Sequence, residues 1–200
     1  MKTVATGVCL SLFLSAASGQ ERLPRDEARR YARVCVEQAA DLADSPVKAD
    51  ADPDRACAVR GEGGGAMAVP DRKLSAEDLR KAGEGVVPVG QLWLRKWRPV
   101  LGGKAVPDDR LRVLTVNVDD KDRPMPVLLL GVRKKARGLE LVAYAAGEDP
   151  LLALPLKGVD FIQDLPVELE WQRGEGSVDS LQVTIAGKYQ AVLHVTRAGK

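Results

Sequence analysis

The chain has 200 residues with 30 basic and 28 acidic side chains, a formal charge of +2, and 45% hydrophobic positions. That balance excludes the basic signature of a nucleic-acid binder and the polar, charge-rich signature of a disordered chain. One histidine, His194, excludes HExxH and other multi-histidine metal sites.

The chain opens on a leader-like segment. Lys2 supplies a positive start, residues 4–17 form an apolar run, and Ala17-Ser18-Gly19 place small residues at a cleavage site. This predicts a signal peptide over 1–19, with a mature chain beginning at Gln20 and exported to the periplasm or the extracellular space. The run is shorter than the roughly 18–20 apolar residues of a membrane-spanning helix. No later stretch is longer than a strand; the richest is 125–132.

A helix follows. Leu23-Pro24 lead in, and Asp26 and Glu27 place negative charge at the positive end of the helix dipole. Ala28, Tyr31, Ala32, Cys35, Ala39 and Leu42 fall on one face at 3.6 residues per turn. Asp44-Ser45-Pro46 ends the pattern. Beyond the predicted leader the cysteines number two, Cys35 and Cys57. In an exported chain this predicts a disulfide, which would close a loop of about twenty residues and stabilise the fold by roughly 3 kcal/mol.

Residues 47–51 alternate as a short strand would. Two β segments near 56–60 and 66–70 flank the glycines of 61–65 and predict a hairpin with a long, mobile loop. Ser75 then begins a short helix: Asp78 stands at the capping-box position, and Leu74 and Leu79 form a hydrophobic staple. Gly83 and Gly85 stop it.

Strands are expected near 88–95, 110–118, 125–134, 139–146, 151–156 and 167–172, followed by a C-terminal hairpin turning at Gly187-Lys188. The class is mainly β: an antiparallel β-sandwich, Ig-like or jelly-roll-like, over 86–200, with an N-terminal helix and hairpin extension over 20–85 packed on it.

Little in the sequence points to catalysis. His194 lies on the outward register of the last strand, and no GxSxG elbow is present to pair with it. Glu168 and Glu170 share a strand face that reads as solvent. Asp50, Asp52 and Asp54 open like a calcium loop, but Arg55 stands where glycine must turn and Gly61 where Glu must ligate. The glycines of 61–65 lack the GK[ST] ending of a phosphate loop. The basic run 133–138 reads as a solvated turn. No metal, cofactor or catalytic residue is expected.

One stretch carries a functional expectation. In an extended 92–97, Trp93, Arg95 and Trp97 share a face, opposite Leu92 and Leu94. Were the leucines to point inward, two tryptophans flanking an arginine would form a surface for a protein partner or for sugar rings. The expected function is thus a non-catalytic binding or structural module of the cell envelope or extracellular space, with a protein or polysaccharide partner and no nucleic acid. The alternative is a carbohydrate-binding module that uses surface tryptophans.

Overall fold

A computed structural model describes residues 20–40, 42, 45–83 and 85–199. The predicted leader over 1–19 lies outside the described residues.

The larger of two antiparallel sheets runs, in spatial order, through β1 (Glu21–Arg22), β2 (Cys57–Gly61), β3 (Gly64–Pro70), β4 (Val87–Arg95), β8 (Lys121–Lys135), β9 (Gly138–Tyr144) and β10 (Leu152–Pro155), with β7 (Arg112–Val118) also paired to β8. The smaller runs through β12 (Val167–Gln172), β13 (Val178–Ile185), β14 (Tyr189–Arg197), β5 (Trp97–Leu101) and β6 (Lys104–Ala105), with β11 (Lys157–Gly158) beside β14. The two sheets pack face to face as the expected β-sandwich, and helix α1 (Arg25–Gln38) lies on the outer face of the larger one. The N-terminal hairpin is hydrogen-bonded into this sheet, β3 pairing with β4 from Gly65↔Arg95 to Pro70↔Gly90, so residues before and after 85 share one core. The alternation at 47–51 gives no strand, only an isolated bridge from Ala51 to Asp71.

Helix α2 (Ala76–Arg80) starts as its sequence predicts. Ser75 Oγ accepts from the Asp78 amide at 3.2 Å, and Leu74 and Leu79 are buried beneath it. No helix among the described residues is long and apolar enough to cross a membrane.

Strand β8 organises the larger sheet. Its first half pairs with β7, through the two-residue turn Asp119-Asp120, and its second half with β9. On the opposite side its pairing with β4 begins at Val127, opposite Trp93, although β4 itself runs on to Arg95. There Lys96, at φ 56°, breaks the extended chain and hands it to the smaller sheet at Trp97. Just before its pairing with β4, β8 carries Pro124 and Pro126. Their ladder with β7 is continuous, so their missing donors fall on the open side, and an edge without donors resists pairing with another chain.

The inter-sheet core holds Leu92, Leu94, Leu128, Leu169, Leu181 and Ile185, all essentially inaccessible. Trp97 and Trp171 stack within it, with centroids 6.1 Å apart and planes at 16°. That pair explains two glycines of the β2–β3 hairpin, Gly61 and Gly64. A Cβ at Gly61 would sit 2.5 Å from the Trp171 ring, and one at Gly64 would sit 2.2 Å from Trp97 Nε1. The hairpin ends in a two-residue turn, Glu62-Gly63, with Gly63 at φ 74°, and is not the long, mobile loop expected.

The predicted disulfide is absent: both thiols are free. Cys35 does point from α1 toward the protein, as its helix phase predicts, and is buried against the sheet's outer face. The two-residue period of β2, however, turns Ala58 to that face and Cys57 to the inter-sheet side. The larger sheet therefore stands between the two thiols.

Candidate functional site

Alternation along the strands sets which residues meet α1. Ala58, Met67, Trp93 and Val127 form one cross-strand row on the outer face, and Arg60, Gly65 and Arg95 form the next. The helix turns small residues, Ala28 and Ala32, to the sheet, and both are buried against it, as is Ala39 just past its end. Gly65 contributes no side chain to the second row. A Cβ there would meet only Val59 O, at 3.0 Å, and the Arg60 Cα at 3.9 Å.

The outcome is a crevice of about 280 Å³ between helix and sheet. Leu23, Tyr31 and Cys35 wall it on the helix side; Met67, Trp93 and Met125 form its floor; Arg60, Arg95 and Arg123 ring it. The helix is held over it by Arg30–Asp119 at 2.9 Å, Arg33–Asp54 at 2.8 Å and a bond from Arg29 Nε to Asp54 O at 2.9 Å. Arg95 and Arg123 also line a second groove beside Lys96, Pro124 and Pro126, so they stand at the boundary between the two.

The three arginines differ in their partners. Arg60 lies 3.5 Å from both Glu21 and Glu27. Arg95 and Arg123 have no carboxylate within ion-pair distance among the described residues. The Nε of Arg123 is buried and makes no hydrogen bond. Burial lowers the pKa of Arg95, and the like charges of Arg123 and Arg60 lower it further. Burial pushes the Cys35 thiol up to about 12, which keeps it protonated and inert at neutral pH.

Of the expected surface trio, only Arg95 belongs to this site as an accessible polar group. Trp93 is fully buried under α1, where its Nε1 donates to Gln91 Oε1 at 3.0 Å. Trp97 is fully buried between the sheets. The shared face fails because Lys96 interrupts the extended chain and places Trp97 on the side of Leu92 and Leu94. Trp171 is buried as well, so a platform of exposed tryptophans does not exist.

The other candidate residues are dispersed. His194 is exposed, with Nδ1 3.4 Å from Ser180 Oγ. Glu168 pairs with Arg22, and Glu170 accepts from Gln172. Asp50, Asp52 and Asp54 each meet an arginine: Arg72, Arg55 and Arg33 respectively. Among the described residues no cluster of three His, Cys, Asp or Glu side chains is placed to hold a metal.

Tyr31, Met67, Arg123 and Met125 were not singled out from sequence. A signal was there: Arg123 is in phase with Met125 and Val127, so it puts a charge on an otherwise apolar strand face. Starting that strand at 125 hides the phase. No protein-family model matches the chain, and neither a curated protein nor a solved structure is significantly similar to it. What the site can do is read from its own side chains.

Proposed function

We propose that the chain is an exported, non-catalytic binding protein of the periplasm or extracellular space, and that it holds a small ligand in the crevice under α1. The observation that carries this is the crevice itself, an apolar floor of Met67, Trp93 and Met125 beside two guanidiniums, Arg95 and Arg123, that have no carboxylate partner among the described residues. An apolar cavity with a few convergent polar groups is the usual form of a small-molecule site. Its lining holds no carboxylate or histidine to move a proton, and its one thiol is kept protonated. The leader-like residues 1–19 support export.

Two measurements test the reading. Indole, a neutral probe of suitable size, should shift the methyl resonances of Met67 and Met125, and Gly65→Val should abolish the shift by filling the gap. Unmoved methyls at saturating indole would end the crevice reading. Mass spectrometry of the expressed protein should find a chain starting at Gln20 outside the cytosol; an intact chain in the cytosol would end the export reading.

A protein partner from the envelope is a second reading. It is favoured by Phe161 and Ile162, which stand exposed between β11 and β12, Ile162 fully so. Ile162→Asp should then abolish retention of that partner and leave the crevice unaffected. A polysaccharide partner loses its support with the tryptophans buried.

A further inference from the structure

We propose that the crevice takes a small organic carboxylate with an apolar body, its carboxylate accepting hydrogen bonds from Arg95 and Arg123. This rests on the crevice being a binding site, as proposed above. Two guanidiniums facing one cavity repel each other, and burial weakens the water that would screen them. An anion placed between them relieves that repulsion. A carboxylate matches the planar fork of a guanidinium in shape and charge.

Orientation follows from the third arginine. Arg60 is already neutralised by Glu21 and Glu27, and those carboxylates repel an anion at that end. The head group is thereby directed to Arg95 and Arg123, at the boundary with the neighbouring groove.

The floor selects the rest of the molecule. Met67 and Met125 offer no strong donor or acceptor, and the Trp93 N–H is committed to Gln91. A polyhydroxylated ligand would bury hydroxyls without partners there, and an alkyl or aromatic body would not. An apolar cavity of about 150 Å³ holds benzene, so this one admits a ligand of roughly ten heavy atoms.

Octanoate, octan-1-ol and inorganic phosphate test the assignment, with binding followed by the Met67 and Met125 methyl resonances and by calorimetry. In the wild type, octanoate should bind at least about tenfold more tightly than octan-1-ol, and phosphate should not bind in the same range. Arg95→Gln and Arg123→Gln should each erase that advantage, leave octan-1-ol binding unchanged, and not lower the melting temperature of the unliganded protein, since each removes a repulsive charge. Equal affinity for octanoate and octan-1-ol overturns the carboxylate assignment and leaves the crevice reading standing. Binding of phosphate as tightly as octanoate overturns the role of the apolar body. Loss of octan-1-ol binding in the glutamine variants gives the arginines a structural role and overturns the proposal. Failure of both eight-carbon probes to bind overturns the crevice reading itself.

Discussion

Gly64→Ala gives the sharpest test of the packing described above. The added methyl would lie 2.2 Å from Trp97 Nε1, 2.3 Å from Cδ1 and 2.7 Å from Cε2, all rigid atoms of a fully buried ring stacked on Trp171. Real Cβ contacts do not fall below 3.0 Å, so the indole or the hairpin must move by most of an ångström. Overpacking of this kind costs about 1–3 kcal/mol, and the stacked partner places Gly64 toward the upper end. At roughly 2–4 °C per kcal/mol for a chain of this size, the melting temperature should fall by about 6–12 °C. Gly147→Ala is the control: its Cβ meets nothing closer than 4.0 Å, and it should change stability by less than about 1 kcal/mol. Thermal denaturation followed by circular dichroism reads both. Trp97→Phe should cost stability alone yet lessen the penalty of Gly64→Ala in the double variant, a coupling that only direct contact produces. If Gly64→Ala and Gly147→Ala melt together, Trp97 does not dictate the glycine.

Adding a thiol reductant should leave the melting temperature unchanged, because no Cys35–Cys57 bond exists to break; a drop of several degrees would show that the bond forms. Lys96→Gly should stabilise by up to about 1 kcal/mol in urea denaturation, because any L side chain, lysine included, is strained at φ 56°, and Lys96→Val should destabilise, the β-branched residue being strained further; an unchanged or lower midpoint in the glycine variant would count against the strain. Asp54, Glu62 and Asp160 are held below the ordinary carboxylate range, first of all by hydrogen bonds from Arg33, Arg197 and Lys188. Their contribution to stability is complete above the unfolded-state values, near pH 4, and disappears as pH falls through the lower folded values. Carboxyl carbon NMR titration should show all three protonating below the ordinary carboxylate range; ordinary midpoints would refute the pairings.

Period-two and period-3.6 patterns carried most of the fold. The helix face of Ala28, Ala32, Cys35 and Ala39 is the face buried, and Val167–Gln172 and the last hairpin form where alternation places them. Patterns fail where one residue changes the phase. Lys96 is an ordinary lysine in sequence, and its left-handed backbone is imposed by the passage between sheets. The disulfide expectation failed for a related reason: two cysteines each facing a core are taken as neighbours only if the core is single, and here a sheet divides it. The crevice was illegible because it arises from an absence, Gly65, opposite a helix whose placement depends on distant partners such as Asp119.

The separation of the two thiols makes the protein its own gauge of partial opening. Cys35 is buried and becomes reachable by a thiol reagent when the helix lifts, whereas Cys57 is only partly buried and needs no parting of the sheets. The labelling rate at Cys35 would thus report the free energy of helix lifting, with the part-exposed Cys57 of the same unmodified chain as its internal reference.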